Sequence, residues 1–408
     1  MNMRPAAVFK VMCLALAACS SIACAAAFDA STPAGAVLAS NRFGFDLYGR
    51  IKTDDKNLIC SPVSAAVALN MASGGARGAT QAEMLRALHV DPARSADSHA
   101  SFGKLLSALN RGGGSSDGVI LTVADRLWGQ KDLAFNPEFL ALLRDRYHAP
   151  LEPVDFAGAP GAALAAINSW ASTQTHGRIP EILGSDAVGP STRLILTNAV
   201  YFLGNWVKPF HPDTTREGDF TGVKGPVKVK IMHQKETFAH AREGDAQIVE
   251  LPYKGNLSML VVLPDAAAGL PAVEKRMGDK YDAWVAALRP KEVELELPRW
   301  TFTSDLSLIK PLGQLGMRRA FQGDADFSGI AAGGGLAINE VIQKAFIEVN
   351  ETGTEAAAVT ALGMYSLSLG PPPPQPVIFH ADHPFLYVIR DTTTGAILFI
   401  GRVVDGRS

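Results

Sequence analysis

The sequence predicts one α+β domain from about residue 35 to 408, helices first and a large mixed or antiparallel sheet system after. Three observations carry the prediction. Capping residues and helical apolar spacing dominate the chain as far as Thr175. After Thr192 the apolar runs become strand-length and rich in β-branched and aromatic residues. The 408 residues are 47% hydrophobic, enough for a packed core, and no internal repeat divides them.

Taken in order, the first segment is MNMRPAAVFKVMCLALAACSSIACAAA, residues 1–27. Basic Arg4 and Lys10 precede an apolar run from Val11 to Ala18. That run is far short of the about 20 residues a membrane span needs, so it reads as an export signal. Leu16-Ala17-Ala18-Cys19 resembles a bacterial lipoprotein cleavage box, which leaves Cys19 lipidated, whereas Ala25-Ala26-Ala27 offers an ordinary small-x-small site before Phe28. Both routes place the protein outside the cytoplasm: secreted, periplasmic, or anchored at the envelope through a lipid on Cys19. Three of the 4 cysteines lie in this leader. Cys60 alone remains in the folded part, so no intrachain disulfide forms there, and the residue reads as a small buried hydrophobe.

Ser61-Pro62 sets a capping hydroxyl before a proline suited to a first helical turn, and the helix it opens stops at Gly74-Gly75. Thr80-Gln81-Ala82-Glu83 has the form of a capping box, with Met84, Leu85 and Leu88 on the apolar side that follows. RGGGSSDG, from Arg111 to Gly118, reads as a flexible loop. Asn136-Pro137 caps a helix reaching Tyr147, and Ala162 to Thr175 forms another. LILTNAVYFLGNWV is a strand buried on both faces. IVELPYKGNLSMLVVLPD is a hairpin turning at Lys254 to Asn256, and VELELPRW alternates as a further strand. A helix is expected at Ser304 to Leu315; KAFIEVNETG is a strand, as are FLYVIRD and GAILFIGRVV on either side of a turn at Asp391 to Gly395.

Composition excludes several functions. With Lys+Arg 38 against Asp+Glu 40 and only the sparse Lys224, Lys228 and Lys230 set, there is no basic cluster for nucleic acid, heparin or another polyanion. No G-x-S-x-G elbow, P-loop, dinucleotide fingerprint or H-E-x-x-H occurs, so neither a cofactor nor an enzyme is indicated. His380-Ala381-Asp382-His383 offers three ligand-type side chains, but in an extended segment the two histidines face opposite ways.

The segment ETGTEAAAVTALGMYSLSLGPPPPQPV, beginning at Glu351, holds no Lys or Arg and a single acid after its first residue, Glu355. In a strand, Thr354, Ala356, Ala358, Thr360, Leu362 and Met364 share one face, small and then larger and apolar. Glu355, Ala357, Val359 and Ala361 share the other, so the one charge points away from a core packed against the first. Taken alone, Glu-Ala-Ala-Ala equally favours a short helix.

ETGTEAAAVT resembles the hinge of the reactive-centre loop of serpins, the serine-protease inhibitors that insert this loop into their own sheet. Six further segments resemble the family in order over most of the chain: NLICSPVSAAVALNMASGGARGAT, INSWASTQTHGRIPEIL, LILTNAVYFLGNWVKPF, ADFSGI, VIQKAFIEVNETGTEAAA and FHADHPFLYVIRDTTTGAILFIGRV. The chain is thereby identified as resembling an exported bacterial serpin. The resemblance implies a fold of about nine helices with a large central sheet, two smaller sheets and an exposed loop at about residues 351–376. It implies no enzyme and no cofactor, but a monomeric, single-use trap that forms a covalent acyl complex with a target serine protease. The rival within the fold is a non-inhibitory binding or chaperone-type member. Inserting about 14 residues at roughly 3.3 Å each would carry an attached protease about 45 Å.

Counted from Glu351 in the family's spacing, the scissile bond is Leu367-Ser368, with Tyr365-Ser366 as the alternative and Met364 and Leu369 behind it. An apolar residue there suits chymotrypsin-like or elastase-like pockets. Counted back from Phe379, the bond would fall among the prolines, so Pro371 to Pro374 read as an insertion, either a stiff spacer or neutral length variation. The implied hinge is Glu351, Gly353, Thr354, Glu355, Ala356, Ala357, Ala358 and Thr360. Trp206 resembles the family's tryptophan at the top of the sheet, and Arg299 with Glu351 its basic-acidic pair there. Ser61, Ser64 and Asn198 match the polar cluster beneath the sheet centre. Gln343 departs from the histidine often found there, so a histidine-driven pH response of sheet opening is not expected.

Overall fold

A computed structural model of the chain describes residues 32–112, 119–332, 335–354 and 375–407. The leader, including Cys19 and Ala25 to Ala27, lies outside the described residues, as do Glu355 to Pro374. In chain order the elements are α1 (Ala34–Ile51), β1 (Leu58–Cys60), α2 (Pro62–Ser73), α3 (Gly78–Ala87), α4 (Ser95–Gly112), β2 (Val119–Gln130), α5 (Pro137–Leu142), β3 (Glu152–Val154), α6 (Pro160–Gln174) and β4 (Leu194–Asn205). Next come β5 (Arg216–Gly222), β6 (Gly225–Glu243), β7 (Ala246–Pro252), β8 (Leu257–Pro264), α7 (Leu270–Ala287), β9 (Arg289–Pro298), β10 (Trp300–Ser307) and α8 (Ile309–Gln314). The chain closes with β11 (Glu340–Val349), β12 (Gly353–Thr354), β13 (Val377–His380), β14 (Phe385–Asp391) and β15 (Ile397–Val403). The described residues thus hold eight α-helices, close to the nine expected.

The strands form two sheets. A six-stranded mixed sheet runs β10-β11-β12-β4-β2-β3, with β11 and β4 also paired to each other in parallel. The other runs β1-β15-β14-β8-β7-β6-β9-β13, with β5 added to β6. The two smaller sheets expected from the resemblance are joined into this one because β6, 19 residues long, pairs with β5, then β9, then β7 along its length. Every residue of α2 is buried between the sheets, as an all-round apolar helix must be. α1 and α7 close the outer face of the nine-stranded sheet, and α6 lies on the outer face of the other, over Trp128, Ile195, Ala199 and Ile342.

Three local expectations are corrected by tertiary contacts. Ser304 to Leu315 is not one helix: β10 runs to Ser307, pairing β11 from Trp300↔Val349 to Ser307↔Ile342, and only Ile309–Gln314 is helical. Ser61 stands at the cap position of α2 with its hydroxyl unbonded; its backbone is used by Gln343 instead. The capping box at Thr80 and Glu83 does not form. α3 begins two residues earlier, Thr80 Oγ1 accepts from Asp326 N, and Glu83 Oε2 accepts from the amides of Arg318 and Arg319. By contrast Asn136 caps α5 through Glu138 N at 2.9 Å, and a π-turn carries the chain to Tyr147. α4 extends through Gly112, so the expected loop at Arg111 begins as helix, and residues 113–118 lie outside the described residues.

Cys60 is fully buried, and burial pushes its thiol up to about 12, which keeps it protonated and unreactive. A charged cluster ties three elements on the outer face. Buried Glu274 of α7 accepts from Tyr48 Oη of α1 at 2.6 Å and from Arg402 Nη1 of β15 at 3.0 Å, and pairs with Lys52.

Candidate functional site

The site is built where the six-stranded sheet has a weak seam. β4 and β11 pair in parallel from Ile195↔Glu340 to Val200↔Ala345, and there the parallel ladder ends. Further up, β12 lies between the same two strands: Thr354 pairs with Val349 of β11 and Gly204 of β4, and Gly353 with Asn205. The chain after β11 has therefore turned back and placed its first residues as a strand in the mouth of the seam. Thr354 is 1% exposed, on the inward face expected for it, and its Oγ1 lies 2.7 Å from Tyr253 Oη.

Gly353 is required by a close approach. A Cβ at this position would stand 2.0 Å from Gly204 O and 2.7 Å from Asn205 Cα, both backbone atoms that cannot swing aside. Gly353→Ala is expected to expel β12 and lower native stability by about 1–3 kcal/mol. Loss of hydrogen-exchange protection at the Thr354 amide and a lower thermal midpoint would report it; retained protection would contradict the assignment.

Trp206 clamps the turn that leads into β12. Its indole Nε1 donates to Asn350 O at 3.1 Å, its backbone N to Thr352 O at 2.9 Å, and its ring stacks on Tyr253 with centroids 4.2 Å apart. Arg299 Nη1 and Glu351 Oε1 are 3.6 Å apart, and Thr215 Oγ1 donates to the same Glu351 oxygen at 2.7 Å. Arg299 is 46% exposed, so the pair contributes about 1 kcal/mol or less, and Glu351 is held mainly by Thr215 and by Phe210 N on its carbonyl.

Lower in the seam, Gln343 of β11 and Asn198 of β4 face each other in register. Gln343 Nε2 donates to Asn198 Oδ1 at 2.6 Å and to Ser61 O at 2.9 Å, while its Oε1 accepts from Ser61 N at 2.8 Å. Asn198 Nδ2 donates to Ser64 Oγ and to Asp125 Oδ1, and Ser64 Oγ donates to Asp125 Oδ1 at 3.2 Å. Ser61, Ser64, Asn198 and Gln343 are thus one network, each 1% exposed or less, that must part if a strand enters below Thr354.

Two members of the site were not legible as such in the sequence. Tyr253, in the hairpin turn LPYKGN, carries no local signal; only the fold brings it under Trp206 and Thr354. Asp125 did leave one: in VILTVADRLWGQ it takes the inward position of Val119, Leu121, Val123 and Leu127, an acid on an apolar face. The remaining hinge residues Glu355, Ala356, Ala357, Ala358 and Thr360 lie outside the described residues, as do Leu367-Ser368 and Tyr365-Ser366. Away from the seam, His383 Nδ1 lies 2.7 Å from Asp382 and its Nε2 2.7 Å from Pro264 O; among the described residues no group of three or more ligand-type side chains gathers as a metal site.

Comparison with known proteins agrees over nearly the whole chain. The family model "Serpin (serine protease inhibitor)" matches residues 38–406. Leukocyte elastase inhibitor of Sus scrofa is 39% identical over 378 residues, covering 90% of this chain and 98% of that protein. Among solved structures, human thyroxine-binding globulin superposes with a TM-score of 0.83 at 28% identity, covering 92% of this chain and 100% of that one. A highly specific serpin of the insect Tenebrio molitor superposes with a TM-score of 0.80 at 32% identity, covering 91% and 98%.

Proposed function

The chain belongs to the serpin family of serine protease inhibitors, and from that premise we propose that it is a single-use trap for a chymotrypsin-like or elastase-like protease. The protease serine attacks the Leu367 carbonyl; an ester to the enzyme forms, the amide bond to Ser368 breaks, and the new amino terminus at Ser368 departs. The freed arm from Thr354 onward then enters the β4/β11 seam and draws the acyl-enzyme away before water resolves the ester.

The observation that carries this reading is the ladder at Thr354, which is already paired on both sides above a seam whose lower ladder ends at Ala345. Each further residue inserted adds hydrogen bonds to β4 and β11, and the small apolar face of Ala356, Ala358 and Thr360 follows Thr354 inward. The similarity to leukocyte elastase inhibitor and the apolar residues around Leu367 support the choice of protease class. The likeness to thyroxine-binding globulin favours a second reading, a binding protein that does not trap.

Mixing the chain with chymotrypsin or an elastase is expected to give an SDS-stable complex and release a C-terminal peptide beginning at Ser368, read by mass spectrometry. Clean cleavage with no stable complex across a broad panel of serine proteases would sink the inhibitor reading and leave the binding protein.

A further inference from the structure

Asp125 is the unexplained member of the seam network. It sits on β2 opposite Asn198 in register, 7% exposed, with Oδ1 accepting from Asn198 Nδ2 and Ser64 Oγ while Oδ2 is buried without a hydrogen-bond partner. A carboxylate half-satisfied in such a place is costly when charged. Among the described residues no counter-ion offsets it. α2, packed on this face of β2, contains no ionisable residue and offers only Ser64 from its first turn. On β4 the one ionisable group is Tyr201, three residues beyond Asn198. β11 presents the neutral Gln343, while its Lys344 pairs with Asp305. α4 carries Asp97, His99, Lys104 and, in its last turn, Arg111. Asp97 pairs with Arg94, Lys104 is exposed, and His99 is engaged by Tyr147 and held neutral by burial. Arg126, next along β2, is on the opposite face against Trp128 and Trp170 and pairs with Glu152 of β3.

We propose that Asp125 is a positioning residue for sheet opening: its carboxyl fixes the Asn198 amide that bridges to Gln343 across the β4/β11 seam, and its ionisation sets how readily the seam parts. The proposal rests on the insertion reading above and adds to it a titrating group. The physical link is direct. One Asn198 amide serves both sides, with Nδ2 toward Asp125 and Oδ1 toward Gln343, so a shift on the β2 side moves the acceptor that holds β11. When the seam parts, Asn198 is released and water reaches the carboxyl, which favours its charged form.

Burial pushes the carboxyl up to about 7, against which the bonds from Asn198 and Ser64 act only in part. Because the folded value is raised above the ordinary one, the closed seam is fully stable at low pH and loses stability as pH rises through about 7. The test needs no protease. Opening is followed as the rate at which a synthetic peptide of residues 353–364 anneals into the intact protein, and as the unfolding rate in fixed urea, each from pH 5.5 to 8.5. The wild type is expected to open about tenfold or more faster at the upper limit, the change that one pKa unit of differential interaction gives. Asp125→Asn keeps the acceptor and is expected to stay at the slow rate at every pH. Asp125→Ala loses the positioning and is expected to open fast at every pH; if it fails to fold, the asparagine variant carries the test. Parallel pH profiles for wild type and Asp125→Asn in both rates would overturn the proposal. A pH-dependent unfolding rate that Asp125→Asn abolishes, in a chain that traps no protease, would support the assignment while sinking the inhibitor reading.

Discussion

Replacing Thr354 with arginine is expected to convert the inhibitor into a substrate. Thr354 is buried between β4 and β11 with its hydroxyl on Tyr253, and the substitution both removes that bond and drives a guanidinium into a position that is 1% exposed. An uncompensated buried charge costs several kcal/mol, and at 1.36 kcal/mol per tenfold in rate, about 3 kcal/mol already slows insertion by roughly 100-fold relative to ester hydrolysis. The protease would cut the loop and leave. Titration of protease activity against added protein measures this as the number of inhibitor molecules consumed per enzyme inactivated. Thr354→Ser, which keeps the hydroxyl, is the control expected to retain trapping. An arginine variant with unchanged stoichiometry would contradict insertion through this seam.

The second large effect is on stability and lies far from the loop. Glu274→Gln removes the charge from a carboxylate buried among Tyr48, Lys52 and Arg402, and leaves the 2%-exposed guanidinium of Arg402 in the core. Breaking a buried pair from one side costs about 3–5 kcal/mol. For a chain of this length that corresponds to a thermal midpoint lower by about 5 °C, measured by calorimetry. The double variant Glu274→Gln, Arg402→Met is expected to recover much of the loss, because the apolar replacement no longer leaves a charge behind. Equal losses for single and double variants would show that the cluster acts by packing alone. Because α1, α7 and β15 lie on the nine-stranded sheet, away from the seam, the Asp125-dependent pH profile of opening should persist in the glutamine variant.

How much was legible varies by residue. The small inward face that begins at Thr354 could be read from alternation and side-chain type, which are local, whereas Gly353 could be named only through the family resemblance. Trp206, Arg299, Glu351, Ser61, Ser64, Asn198 and Gln343 could be named only through the family resemblance, because the contacts that join them cross intervals such as Ser61 to Gln343. The expectation about Gln343 concerned only a histidine-driven response; the ionisable group in the network, Asp125, comes from β2, a strand the local reading had not placed.

The sequence alone determined the α+β class, the order of most elements and the uncharged face that runs from Thr354, because each rests on short-range periodicity and side-chain type. Only the tertiary structure decided that Ser304 to Ser307 is strand, that Thr80 and Glu83 bond to the segment at Arg318 to Asp326, and that one long β6 merges two sheets. It also decided that Asp125, Ser64, Asn198 and Gln343 share one buried network. The reason is the same in each case. A backbone amide or a buried polar group must find a partner once water is excluded, and which partner it finds depends on what the fold brings within about 3 Å, a distance unrelated to separation along the chain.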